Sequence, residues 1–479
     1  ANAVTSTRAA LLGVNGGAVA VGAGVAIAID QANLSTYIGA DPQGVSASSG
    51  IGTVRATGDV RVRNTIASLS EPVIFAATAG AVAASVNVLL AFNRSNAVAS
   101  ISGSHINADG DIVVEGLLSE ATARADLYRA GAGAIAAGVN VAYAQMRADN
   151  AARLDVAGAS IRAGGDVEIY AGTQAAPSKA LAEASTMSGD VGAIAGAVNV
   201  AIADNDARNE ASLLGTVTAD GSIFVEAWLR SSAPANLHGL NIGGIAVGMG
   251  TLVSVDRTRN LAIIENGDIH AASLQVVAQA DPIERQNVAS VELVQGAGSL
   301  IGAGVNVAVA YSRVENIASA NIKNIELAGA LRVLAEGTAN AAASIVNGPN
   351  IHGIAVGVMT GYAYAQGTYA ARLALPAEGN AQVGSIEVWA NTLANADTVV
   401  EPSLGGVELG AAAVKVNIAI ASVSTEVTAT IERAGEGTLP SITAAGHVRV
   451  RAELNAAANA TVTTAKLIFE TVNIAVNVS

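Results

Sequence analysis

The chain contains no cysteine. That excludes a disulfide framework, a thiolate metal site and a thiol nucleophile. Aromatic residues make up 3% and charged residues 13% of the 479 positions. An ordinary globular domain of this size carries more aromatics and about twice that charge. Only nine prolines occur, largely in variable connections. Long unbroken apolar runs are missing as well. The hydrophobic stretches are interrupted by Gly and Asn and alternate in side-chain size, which argues against a transmembrane helix and a membrane-spanning chain. The net charge is −14. Nucleic acid and anionic membranes both call for a basic patch, so neither is expected as a partner.

What is present is Gly, Ala, Val and Ile in a regular order. The stretch VGAGVAIAID, from Val21 to Asp30, has the G-x-G of a dinucleotide-binding turn in Gly22 and Gly24. The third glycine of that fingerprint is Ile27 here, and no helical pattern follows. The residues alternate instead. Val19, Val21, Val25, Ile27 and Ile29 are large; Ala20, Gly22, Gly24, Ala26 and Ala28 are small. Period two predicts a strand. The large face is expected to fill the interior. The bare face is expected to meet a second sheet of the same coil or a neighbouring chain, because Gly weakens a strand unless something approaches closely.

The stretch recurs. GAIAAGVNVAYAQ begins at Gly133, GAIAGAVNVAIAD at Gly192 and GSLIGAGVNVAVAYS at Gly298. AAAVKVNIAIAS begins at Ala411, weaker copies begin at Gly80, Gly243 and Gly353, and the chain closes on TVNIAVNVS. Aligned on the centre of V-N-V, the copies place Ala26, Asn87, Asn140, Asn199, Leu252, Asn306, Gly361, Asn417 and Asn473 in one column. The mean spacing is about 56 residues. A second motif follows each copy: RATGDVRVR from Arg55, NADGDIVVE from Asn107, RAGGDVEIY from Arg162 and TADGSIFVE from Thr218. It predicts a half-buried strand after a Gly turn. With two shorter extended pieces, such as NAARLDVAG from Asn150, each unit reads as four strands joined by polar turns.

The fold class expected is all-β: a β-solenoid, or parallel β-helix, of about 8.5 repeats of roughly 56 residues. Residues 1–479 form one continuous array. Repeats start near 17, 80, 131, 192, 243, 298, 353 and 410, with a partial repeat at 471–479. One repeat forms either one large coil or two of about 28 residues. Both ends fall inside a repeat and read as uncapped, as in a window of a longer array or a subunit that stacks end to end.

The Asn positions Asn87, Asn140, Asn199, Asn306, Asn417 and Asn473 are expected to be structural, stacking as an amide ladder on the small face. A catalytic residue would not repeat six times. No catalytic, cofactor-binding or metal site is assigned. His105, His238, His270, His352 and His447 form no zinc-type spacing. The carboxylate stretches NADGD (from Asn107) and DNDARNE (from Asp204) resemble fragments of calcium loops without matching one, so no cofactor is expected and calcium is the one candidate. The longest insertion, ADPQGVSASSGIGT from Ala40, lacks the acidic pair of a glycosidase.

GAxAxxVNVxxA alternating with AxGDVxVxA over nearly the whole chain resembles large bacterial exoproteins of the filamentous-haemagglutinin and leukotoxin-like adhesin type. The resemblance implies export, a long β-solenoid shaft at the bacterial surface or outside the cell, and attachment to host-cell or surface ligands. Expected partners within the assembly are neighbouring repeats of the same polypeptide. The function expected is a non-catalytic adhesin shaft. A self-assembling extracellular filament or sheath subunit, joined end to end or through its Gly/Ala faces, is the alternative. A β-solenoid carbohydrate-active enzyme is the third reading.

Overall fold

The computed structural model describes residues 1–40, 52–283, 288–376, 380–401, 408–434, 441–463 and 471–479. The described residues form 20 strands and no helix, joined in a single sheet. The pairings are parallel, and each strand pairs with its counterpart one repeat further on. Val19 pairs with Val82, Val82 with Ile135, Ile135 with Ile194, and Ile194 with Ile245. The ladder continues through Ile301 and Ile354 to Ala412. Parallel strands cannot be joined by tight hairpins, so a long return path separates each partner from the next. The architecture is consistent with a β-solenoid. The offset from Val19 to Val82 is 63 residues, and from Ile194 to Ile245 it is 51. Each repeat therefore supplies one coil, not two of about 28 residues. We call each such layer a rung. At about 4.8 Å per rung, nine rungs extend roughly 40 Å along the axis.

The strands are longer than four per repeat would make them. Ile223–Ala271 runs for 49 residues. Straight, it would span roughly 160 Å. It bends at corners instead, and its hydrogen bonds run along the stacking axis, so pairing survives each bend. One corner recurs in the left-handed conformation, at Gly39, Gly103, Gly158 and Gly215, and at Asn266 in the following rung. Asn is the side chain that best tolerates this region after Gly.

Within a rung the chain runs out along an approach strand, turns at a tip, and comes back along the Gly/Ala return strand. Asn2–Gly16 and Val19–Gly39 are the first such pair. Their inner faces pack on each other around an Ala-rich core that includes Ala91, Ala142, Ala144, Ala201, Leu127, Leu237 and Leu293. Beyond it the rung widens around a second core of branched residues, among them Val62, Ile112, Val114, Leu154, Ile169, Val225 and Val276. The G-D-V-x-V motif supplies much of this second core, with Val167 and Ile169 buried as their alternation requires.

The return strand is inverted relative to expectation. Its small face is the inner one: Ala26 is 6% and Ala28 0% exposed, whereas Val25 is 62% and Ile27 48% exposed. The opposing approach strand already brings bulk inward, in the stacked positions Leu11, Ile74 and Leu127. A methyl group on Gly24 would lie 2.7 Å from Leu11 Cδ2, and one on Gly250 2.8 Å from Leu293 Cδ1. Large side chains from one sheet need bare backbone on the other to reach native packing density. The bare face thus meets a second sheet of the same chain, and the large face points outward.

Candidate functional site

The V-N-V asparagines lie inside. Asn87 Nδ2 donates to Asn140 Oδ1 at 3.0 Å, and Asn140 Nδ2 to Asn199 Oδ1 at 2.8 Å. Asn199 then donates to Ser188 Oγ at 2.8 Å. The interstrand register corrects four members of the aligned column. Gly24 pairs with Asn87, and Gly250 with both Asn199 and Asn306. Met359 separates Asn306 from Asn417, and Ala475 follows Asn417. Ala26, Leu252, Gly361 and Asn473 each belong two residues away. Asn473 pairs with Lys415, and its side chain lies outside the described residues. Asn306 and Asn417 are buried but flanked along the axis by Gly250, Met359 and Ala475, so no amide stacks on them.

A longer ladder escaped the sequence reading. Asn150, Asn209, Asn260 and Asn316 are buried and bonded in series, at 2.8, 2.9 and 2.9 Å. Each also donates to a backbone carbonyl at the bend between the two cores: Gly116, Ala171, Ala227 and Ala278 respectively. The signal is an Asn opening each short extended piece, but NAVASISGS opens alike at Asn96, and the register places Asn96 beside Asp149 rather than Asn150. Replacing Asn209 by Ala would strip a bond from Asn150, from Asn260 and from the Ala171 carbonyl. Each buried group left unpaired costs about 1–3 kcal/mol, so a loss of about 3 kcal/mol is expected in urea unfolding. A loss under about 0.5 kcal/mol would show the ladder to be idle.

A third column stands at the Gly turns. Asp111 N–H donates to Asp59 Oδ1 at 3.0 Å, Asp166 N–H to Asp111 Oδ1 at 2.9 Å, and Ser222 N–H to Asp166 Oδ1 at 2.7 Å. The Asp111 N–H, and then Arg61, hold the exposed Asp59 carboxyl below its ordinary pKa. These carboxylates tie one rung to the next. The second calcium-like stretch is not a loop at all. Asp204–Glu210 lies within the strand Ser178–Ala219, with Asp204 bonded to Arg257 at 2.7 Å and Glu210 to Arg153 at 3.2 Å. His105 meets Ser160 at 3.1 Å, and His270 meets Asp268 and Glu326, each at 3.3 Å. Among the described residues, no three His, Cys, Asp or Glu side chains converge as a metal site would require. Residues 41–51 of the insertion and the His352 side chain lie outside the described residues.

Two buried charged clusters remain. Arg129 and Asp190 are both fully buried between the approach and return strands, 2.6 Å apart. Arg129 also donates to Ser85 Oγ and to the Ala137 carbonyl. Gly138 makes the room: a methyl there would lie 2.1 Å from the guanidinium carbon. Asp190 is nevertheless raised above the ordinary carboxylate range, because desolvation outweighs its bond and attraction to Arg129. Asp256, in the Ala-rich core, accepts bonds from Asn205 at 3.1 Å, from Ser231 at 3.3 Å and from Thr258. Burial pushes its pKa up to about 7 against the effect of those three bonds.

The outer surface carries the third feature. On the return strands the outward positions are apolar from rung to rung: Val86, Val139, Ile194, Val247 and Val305 are all exposed. On the approach strands Phe75, Met187, Val191, Leu240 and Ile242 are exposed too. Monomeric soluble proteins seldom display a continuous apolar surface of this extent. Among the described residues, no helix is long and apolar enough to cross a membrane. No family model, curated protein or solved structure matches the chain.

Proposed function

We propose that the chain is a non-catalytic section of a β-solenoid shaft, about 8.5 coils long, belonging to a bacterial cell-surface or secreted adhesin. One observation carries the reading: repeated polar residues are committed to rung-to-rung bonds. The Asn150–Asn316 ladder, the Asp59–Ser222 column and the Asp204–Arg257 pair all bind one repeat to the next. Such a body holds distance and stiffness rather than turning over a substrate. The exposed apolar surface favours the filament or sheath subunit as a second reading, because it could join copies laterally.

The test is a substitution inside the natural protein. The 479-residue segment is exchanged for an unrelated β-solenoid of equal length, and bacterial attachment is measured with cryo-electron microscopy of the same cells. Retained attachment and retained rod length support a shaft. Lost attachment with unchanged rods would place binding in this segment. Ordered fibres whose abundance rises with protein concentration would replace the shaft by the filament.

A further inference from the structure

Around Gly133 and Gly192 the tip of the rung is a thin wedge that is apolar on both outer faces. Around Gly133 the outward residues are Ala130 and Tyr128 on one side, and Ile135, Ala137 and Val139 on the other. Around Gly192 they are Met187 and Val191, then Ile194 and Val198. The corners themselves, Gly80–Ala81, Gly133–Ala134, Gly192–Ala193 and Gly243–Gly244, carry no charge. Going away from the corner, the first outward charges on the approach side are Glu71, Asp126 and Glu292. They lie six to nine residues back, roughly 20–30 Å at strand rise. On the return side the apolar band is longer. In three rungs it ends in an aromatic, Phe92, Tyr143 or Tyr311, followed two to four residues on by Arg94, Arg147 or Arg313; in the two rungs between Tyr143 and Tyr311 it ends in Ile202 before Asp204 and in Val255 before Arg257.

Backbone is what normally keeps an irregular edge out of hydrocarbon. Here the corner backbone is paired along the axis at its first N–H and its second carbonyl. Gly80 N–H donates to Ala132 O at 3.0 Å, Gly133 N–H to Val191 O at 3.0 Å, Ile135 N–H to Ala81 O at 3.0 Å and Ile194 N–H to Ala134 O at 2.9 Å. Among the described residues, the wedge holds the buried Arg129–Asp190 pair, neutral overall, and the buried Lys415 in the Gly138 column.

We infer that this apolar edge inserts into one leaflet of a neutral lipid bilayer, with the solenoid axis lying along the membrane surface. A leaflet's hydrocarbon is about 15 Å deep, half of the bilayer core. The charge-free depth on both faces of the wedge exceeds that. Two-sided exposure selects lipid over a second copy of the chain, because a facing protein surface covers one side of a wedge and a fluid covers both. In the three rungs that carry them, an aromatic followed by arginine matches the order of residues at a membrane–water interface. The net charge of −14 makes the lipid neutral rather than anionic.

The absence of cysteine makes the test clean. Single variants Ala134→Cys, Val139→Cys, Met187→Cys and Arg147→Cys each receive an environment-sensitive fluorophore, after circular dichroism confirms the β fold. They are mixed with phosphatidylcholine vesicles with and without lipid-borne quenchers at two acyl-chain depths. Blue shifts and quenching at positions 134, 139 and 187, with neither at 147, are expected. Flotation with the vesicles should be lost when Val139, Ile194 and Val247 are all replaced by Asp. Shifts at 139 without vesicles, growing with protein concentration and sparing 187, would overturn the proposal in favour of a second copy. Binding confined to phosphatidylserine vesicles, or no shift at any position, would overturn it as well.

Discussion

Replacing Arg129 by methionine is expected to destabilise the protein by about 3–5 kcal/mol, the range for breaking a buried ion pair from one side. The guanidinium and the Asp190 carboxylate are both fully buried, 2.6 Å apart. Taking one charge away leaves the other desolvated without a partner. Asp190 is already raised by burial with Arg129 in place, so without it the carboxyl would take up a proton. The loss should therefore grow with pH, since a carboxyl with a raised folded-state pKa costs more stability as it is forced to ionise. The double variant Arg129→Met, Asp190→Asn removes both charges and should recover most of the loss, because a buried pair gains little net stability over a neutral replacement. Urea unfolding followed by circular dichroism measures all three proteins. If the double variant is no more stable than the single one, the cost lies in packing around Gly138 rather than in charge.

Asp256→Asn is expected to stabilise the protein above neutral pH. The folded-state pKa is about 7, against about 4 in an unfolded chain. Below about pH 4 the carboxyl is protonated in both states and costs nothing. Between about 4 and 7 the unfolded chain releases its proton while the folded one keeps it, so stability falls as pH rises. Above 7 the penalty is complete, roughly 4 kcal/mol. Asn fits the position, since Asn205 occupies the same column in the adjacent rung and Asn93 three rungs away. Its side-chain oxygen can still accept from Ser231 and Thr258. The measurement is the melting temperature from pH 4 to 9. The parent should lose stability across that window and the variant should stay comparatively flat. Parallel curves would mean that Asp256 is solvated in solution.

The Asn column shows how far repetition carries and where it stops. Asn87, Asn140 and Asn199 recur within matching motifs, and they do stack. At Gly24, Gly250, Met359 and Ala475 the matching slipped by two residues. In a period-two strand such a slip keeps every residue on its own face, so the pattern is blind to it. Only the pairing of one rung with the next resolves it. Arg129 and Asp190 were invisible for a different reason. Each stands in a short polar context, DLYRAG and SGDVG, and their meeting depends on coil geometry across 61 residues. The same holds for Asp256, which reads as an ordinary surface carboxylate in SVDRTR until Asn205 and Ser231 are placed against it.

The sequence by itself determined the repeat, the extended backbone and the division of each strand into a large and a small face. These are local properties, set by the period of the side chains and by Gly at the corners. It did not determine which face is inside. Val25 and Ile27 are as able to fill a core as Leu11 and Leu127, and alternation treats the two faces alike. The tertiary structure decided it, because two sheets facing each other at close range cannot both present bulk. The approach strand kept its leucines inward, and the return strand turned its valines and isoleucines out.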